Sequence, residues 1–201
     1  MPALLSDTIR ADGEVNPVGL LEDVGALLYG EFILASGKKS DYYFDSKQLT
    51  LDPRGALFVT RRLVDKLDEL GIRFVGGTAY SGIPLASQVA LYSEIRDGEP
   101  IRAFYHRKEA KGHGTNSVLD GKRPPEGASV AILEDVVTTG ESLLRAIELS
   151  EADGCRVTHA MTLVDRDEGG REAVENAGYR FWSLFRVERT ESGIRLVCNG
   201  D

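Results

Sequence analysis

Apolar positions along this chain switch repeatedly between two spacings. Leu20, Leu21, Val24, Leu27 and Leu28 recur at helical intervals behind Asn16-Pro17, an N-cap followed by proline at the first helical position, which predicts an N-terminal helix running up to Gly30. From Glu31 to Leu51 the pattern turns strand-like. Phe32-Ile33-Leu34 and Tyr42-Tyr43-Phe44 flank the basic turn Ser36 to Ser40, which predicts a hairpin. Pro53 opens a second helix with a stripe of Leu57, Leu63, Val64, Leu67 and Leu70 that closes at Gly71, and Ile72 to Val75 reads as the next strand. Strand and helix then alternate: Pro84 to Ile95 helical, Ile101 to Tyr105 strand, Val130 to Leu133 strand, Leu143 to Ala152 helical, Val157 to Val164 strand, Arg171 to Ala177 helical, Tyr179 to Phe185 strand. That order predicts an α/β fold, a central parallel sheet with helices on both faces. Residues 107–127 are the one long stretch without periodicity, and a loop of that length reads as a lid or a disordered segment.

The segment with most chemistry in it is Val130-Ala-Ile-Leu-Glu-Asp-Val-Val-Thr-Thr-Gly-Glu-Ser142. A continuous apolar run, as expected of a strand buried on both faces, leads into two acids and then into a glycine- and hydroxyl-bearing turn that opens a helix. The backbone N–H groups of Thr138 to Ser142 lack helical partners and suit a phosphate, with the helix dipole adding to the attraction. Gly140 lets the backbone come close. A phosphate alone would be repelled by Glu134 and Asp135, whereas sugar hydroxyls want such acceptors, so the pattern fits a phosphorylated sugar. An ordinary crossover capped by Thr and Glu needs no adjacent acid pair. The other common phosphate motifs, G-x-x-x-x-G-K-[ST] and G-x-G-x-x-G after a strand, do not occur.

Bulk properties narrow the class. At 201 residues and 42% hydrophobic content the chain fits one domain, 1–201, with a sizeable core. No apolar run approaches the roughly 18 residues of a membrane span and the N-terminus lacks a signal pattern, so a cytoplasmic protein with no membrane partner is expected. Cys155 and Cys198 have no metal-type or redox-type spacing and are expected to be reduced thiols. The net charge of −8 argues against a nucleic-acid partner.

The 130–142 segment resembles the phosphoribosyl-diphosphate (PRPP) signature of the type I phosphoribosyltransferases. Four more segments resemble the orotate-specific branch of that family in content and order: Gly30 to Phe44, Thr78 to Leu85, Arg107 to Gly114, and Val164 to Gly169. The resemblance implies the type I phosphoribosyltransferase fold, with a small hood from about residues 1–50 and the C-terminal strands, and a mobile lid at about 107–119. It implies transfer of phosphoribose from PRPP to orotate with Mg²⁺, in pyrimidine synthesis, by a homodimer with shared active sites. Mg²⁺ would be held mainly by PRPP, with no dedicated protein site. PRPP contacts are implied for Tyr80, Ser81, Arg107, Lys108, Lys111, His113, and for Glu134, Asp135, Val136, Val137, Thr138, Thr139, Gly140, Glu141 and Ser142; the two acids would hold the ribose hydroxyls. Orotate contacts are implied for Tyr43, Phe44, Thr138 and Arg166. Lys111, His113 and Asp135 are the implied catalytic residues.

The residue chemistry points the same way. Arg107, Lys108, Lys111 and His113 place four basic side chains within seven residues, among glycines, in an acidic protein. Positive groups that meet a leaving pyrophosphate only on closure stabilise the transition state more than the ground state. A solvated basic loop would be the ordinary reading of such a stretch in isolation. Tyr43 and Phe44 suit a flat pyrimidine ring, although two core aromatics of a strand would look alike. The Arg166 fork suits a carboxylate-bearing ring, against an ion pair with Asp165 or Asp167. His106 and His159 fit no cluster and read as structural. The chain has Ala35 and Ser81 where the family often carries lysines, leaving Tyr80 and Ser81 to meet the pyrophosphate through backbone N–H and hydroxyl groups. Two other readings compete: a purine-type phosphoribosyltransferase, which would have little use for Arg166 or the basic segment, and a non-catalytic PRPP-sensing regulator, which would usually carry a nucleic-acid-binding face.

Overall fold

The computed structural model describes residues 16–33, 39–78, 80–106, 119–190 and 193–199. Among them run nine strands and six helices. Helix α1 (Pro17–Asp23) leads to the hairpin β1 (Leu27–Ile33) and β2 (Lys39–Phe44), then α2 (Ser46–Thr50) and α3 (Pro53–Glu69). There follow β3 (Phe74–Gly77), α4 (Gly82–Ile95), β4 (Arg102–His106), β5 (Leu119–Gly121), β6 (Ser129–Val137), α5 (Glu141–Ala152), β7 (Arg156–Asp165), α6 (Gly170–Asn176), β8 (Arg180–Thr190) and β9 (Gly193–Cys198).

The large sheet has seven strands in the order β5-β4-β3-β6-β7-β8-β9. The inner five are parallel, and β5 and β9 are antiparallel at the edges. Side chains of β6 alternate between two cores, as a pleat requires. Ala131 and Leu133 join a cluster with Leu63, Leu67, Leu85 and Val89 of α3 and α4. Val130 and Ile132 join another with Leu143 and Ile147 of α5 and Val174 of α6. Burial on both faces is why this strand reads as an unbroken apolar run.

Several expectations shift. The first helix ends at Asp23 rather than Gly30: Val24 caps it and Gly25 turns with φ +73°, so Leu27 and Leu28 begin a strand although their spacing continues the helical pattern. The 46–50 stretch is helical, started by Asp45, whose side chain accepts from Lys47 N–H at 3.1 Å. Leu57 leaves the α3 stripe and is 57% exposed, its place in the core taken by Val59. Strand β6 runs through the acid pair to Val137, because its ladder with β7 continues at Val136↔Val164 and Val137↔Asp165. A short strand, β5, stands inside the stretch read as loop. The hairpin lies outside the large sheet, yet Leu21, Leu27, Tyr42 and Leu49 share one cluster with Val187 and Leu196 of β8 and β9. Among the described residues no helix is long and apolar enough to cross a membrane.

Candidate active site

Strand order fixes where a ligand can sit. From β3 the chain steps outward to β4, while from β6 it steps the other way to β7 and β8. At this reversal the connections leaving the C-terminal ends of β3 and β6 diverge and open a crevice, the usual ligand position in open α/β sheets. The acid pair lies near this end of β6, which closes at Val137 and is followed by Thr138 to Gly140 and the first turn of α5. Gly140 is the α5 N-cap with φ +82° and offers no side-chain acceptor, so the first amides of the helix are not capped by their own chain. The loop is braced from below: a Cβ on Gly170, at the start of α6, would stand 2.7 Å from the Thr138 carbonyl oxygen and 3.0 Å from Gly140 N.

The two acids have different surroundings. Glu134 is buried, and its carboxylate gathers three hydroxyls from two segments: Oε1 accepts from Thr78 at 2.7 Å and Ser81 at 2.9 Å, and Oε2 accepts from Ser142 at 3.0 Å. It therefore ties the β3–α4 connection to the start of α5. Burial pushes its carboxyl above the ordinary carboxylate value, only partly offset by the Thr78 and Ser81 hydrogen bonds, and the neighbouring Asp135 pushes the same way. Asp135 is half-buried and accepts from the Ser46 hydroxyl of α2 at Oδ2, while its backbone carbonyl accepts from Thr162 at 3.0 Å. Ser81 is the N-cap of α4 but makes no capping bond, because its hydroxyl is directed at Glu134. Beside it Tyr80 is 73% exposed and holds a left-handed backbone, φ +67°, a conformation non-glycine residues take at some cost.

Arg166 follows β7, its own N–H donating to the Val137 carbonyl at 3.0 Å, which sets it beside the end of β6. Its Nε donates to Tyr42 Oη at 3.0 Å and lies 3.3 Å from Glu168 Oε1. Of the two acids expected as competitors, Asp165 is engaged elsewhere, pairing with Arg171 at 3.0 Å and accepting from the Asp167 N–H, and the ion pair of Arg166 is made with Glu168 instead. Arg166, Thr138 and Thr139 line a cleft of about 1090 Å³ with Phe32 and Ser40 of the hairpin and Glu168. Tyr43 and Phe44 do not line it. Tyr43 packs tilted against Phe32, ring centroids 5.6 Å apart, and Phe44 packs against the core.

Glu134, Asp135, Thr138 to Ser142, Ser81 and Arg166 are thus brought to one end of the sheet. Arg107, Lys108, Lys111, His113 and Ala35 lie outside the described residues. His106 and His159 are buried, and burial lowers the pKa of both. Sequence reasoning missed Tyr42, Ser46 and Thr78, whose contacts to Arg166, Asp135 and Glu134 span 124, 89 and 56 residues. Tyr42 and Thr78 lie inside segments already of interest, whereas Ser46 lies two residues beyond one and carries no signal of its own. A second cavity, about 470 Å³ and lined by Ala86, Ala90, Pro100 and Phe104, contains none of these residues.

Comparison with known proteins shows the family of the chain. Residues 49–181 match the Phosphoribosyl transferase domain family. The chain is 41% identical over 186 residues to the orotate phosphoribosyltransferase of Nostoc sp., covering 90% of this chain and 89% of that protein. It is 41% identical to that of Aquifex aeolicus over 156 residues, 78% of this chain and 84% of that one. The crystal structure of Mycobacterium tuberculosis orotate phosphoribosyltransferase in complex with PRPP superposes with a TM-score of 0.67 at 30% identity, covering 84% of this chain and 94% of that chain. The chain belongs to the phosphoribosyl transferase domain family and, within it, to the orotate phosphoribosyltransferases.

Proposed function

We propose that this chain transfers the 5-phosphoribosyl group of PRPP to orotate, giving orotidine 5′-monophosphate and pyrophosphate. The observation that carries the reading is the convergence, at one switch point, of an acid pair, an uncapped helix start and an arginine from the adjacent strand end. In the reaction the C1′–O bond to pyrophosphate breaks with its electron pair on the diphosphate oxygen, the C1′–N1 bond to orotate forms, and the N1 proton passes to the diphosphate or to solvent. Asp135 accepts from the ribose hydroxyls through carboxylate capacity that Ser46 leaves unused. Backbone amides from Thr138 to Ser142 hold the 5′-phosphate, and Tyr80 and Ser81 meet the pyrophosphate at the mouth of the β3–α4 connection. Glu134 organises those two loops through three hydroxyls. Arg166 pairs with the orotate carboxylate or ring oxygens. The basic quartet Arg107, Lys108, Lys111 and His113 supplies the positive charge a departing pyrophosphate needs.

Among the described residues no three His, Cys, Asp or Glu side chains converge as a metal cage. With Glu134 engaged by hydroxyls, the described residues offer few donors of their own, so a Mg²⁺ would be held chiefly by PRPP and would supply charge neutralisation for the diphosphate. A homodimer with shared sites is part of the reading, supported by exposed apolar side chains on α4, Leu91 at 68% and Ile95 at 73%, near the apolar cavity beside β4.

The test is a split in kinetics. Asp135→Asn raises the KM for PRPP, and Arg166→Ala raises the KM for orotate by about 10- to 100-fold, the range for a hydrogen bond to a charged group. Equal effects of both variants on both substrates would overturn the assignment of the two ends.

A further inference from the structure

Tyr42 and Ser46 stand four residues apart where β2 ends and α2 begins, and each sends its side chain to a different end of the crevice. Tyr42 is 1% exposed and sits in the shared core with its hydroxyl at 3.0 Å from Arg166 Nε, while the guanidinium carbon lies 5.2 Å from its ring centroid. Ser46 is 4% exposed and donates to Asp135 Oδ2. Both are pinned. Tyr42 packs with Leu27 and Val187, and Ser46 is fixed as the first residue of α2 behind the Asp45 cap. A long arginine on a loop loses much rotamer freedom when it must hold one geometry, and a buried acceptor at Nε settles the direction of the fork before the ligand arrives. A carboxylate that shares one oxygen with a buried hydroxyl is likewise held to one rotamer.

We propose that Tyr42 and Ser46 are positioning residues: Tyr42 aligns Arg166 for the acceptor base, and Ser46 aligns Asp135 for the ribose of PRPP. One short stretch of the hood thereby sets both substrate subsites. The inference rests on the roles given to Arg166 and Asp135 above. Burial raises the Tyr42 pKa, against a smaller opposing effect of Arg166, so the hydroxyl keeps its proton at neutral pH, accepts from Nε through its lone pair and adds no charge that would compete with an anionic ligand.

The experiment measures both KM values for Tyr42→Phe, Ser46→Ala, Arg166→Ala and the double variant Tyr42→Phe/Arg166→Ala. Tyr42→Phe keeps the ring and removes the acceptor. It is expected to raise the orotate KM about tenfold with the PRPP KM within about twofold, since the lost contact is a charge-assisted hydrogen bond. Ser46→Ala is expected to raise the PRPP KM by about three- to tenfold and leave the orotate KM within about twofold. In the Arg166→Ala background Tyr42→Phe should have no further effect on the orotate KM, because a residue acting only through Arg166 has nothing left to act on. Equal rises in both KM values, or a full additional rise in the double variant, would mean general support of the fold and overturn the inference. An unchanged orotate KM in Arg166→Ala itself would instead overturn the parent reading of that subsite. Should Tyr42→Phe fail to fold, hydrogen exchange at Arg166 Nε–H in a Glu168→Ala chain, which removes the carboxylate 3.3 Å from the same Nε, settles the Tyr42 half: slowed exchange supports it, and exchange at the rate of a free arginine refutes it.

Discussion

Glu134 shows how a residue type can be legible and its surroundings not. The acid pair stands out in the sequence beside a phosphate-binding turn, but nothing there tells which acid is spoken for. The fold brings Thr78 and Ser81 from more than 50 residues away, with Ser142, onto one buried carboxylate. A buried carboxyl with a raised pKa binds its proton more readily in the folded chain than in the unfolded one. Its contribution to stability is greatest below the unfolded value near 4.5 and declines as pH rises through the folded value. Glu134→Gln cannot ionise. Thermal melts of both proteins from pH 4 to pH 8, on the order of the window set by ordinary carboxylates, should therefore show the wild type losing ground to the variant as pH rises. A difference in Tm that stays constant over the series would mean that the carboxyl titrates normally. Asp135→Asn, by contrast, should leave Tm close to the wild-type value and weaken PRPP binding and turnover, because its carboxylate is only half-buried at the crevice. A collapse in Tm would assign Asp135 a structural role.

Among the elements, those that bury a face on each side were readable. The run Val130 to Leu133 announces itself because two cores claim alternate side chains, and α3 to α6 follow from their spacing and their Pro and Gly punctuation. Misreadings fell where a local signal was outvoted. Leu27 and Leu28 keep helical spacing, yet Gly25 turns the chain and β2 offers Tyr43 and Phe44 as partners. The five-residue α2 is too short to show a period, and its start depends on one Asp45 side chain. The β3–α4 connection depends on close backbone approach, which a lone sequence does not display: a Cβ on Gly82 would lie 2.5 Å from the Leu133 carbonyl oxygen and 2.6 Å from Thr78 Oγ1. Gly82→Ala must push α4 away from β6. The expected cost is about 2 kcal/mol, a Tm drop of about 4–8 °C for a chain this size, together with loss of PRPP affinity as the Thr78 and Ser81 contacts to Glu134 open. Differential scanning calorimetry and PRPP titration check both; an unchanged Tm would mean that the contact is slack.

At the level of the whole molecule the site is a joint between the β2–α2 stretch and the large sheet. Tyr42 to Arg166 and Ser46 to Asp135 cross it, and neither pairing is visible without the fold because the partners are remote in sequence. If exposed α4 is buried between copies, Leu91→Glu with Ile95→Glu should convert a dimer to a monomer in native mass spectrometry, and an unaltered mass would place the interface elsewhere. If sites are shared, mixing Lys111→Ala chains with Asp135→Asn chains should restore about a quarter of wild-type activity. Half of freely exchanging dimers are mixed, and each of those has one intact site. No recovery despite exchange would mean that Lys111 serves its own subunit.

In the function proposed above, one crevice at the β3/β6 switch point holds PRPP and an orotate ring together. The most direct measurement offers the purified full chain PRPP and Mg²⁺ with orotate, uracil, adenine and hypoxanthine in one mixture, and follows every base by chromatography. Orotate alone is expected to be consumed, with orotidine 5′-monophosphate and pyrophosphate formed in equal amounts, and omitting PRPP should stop the reaction. Consumption of a purine with orotate untouched would contradict it.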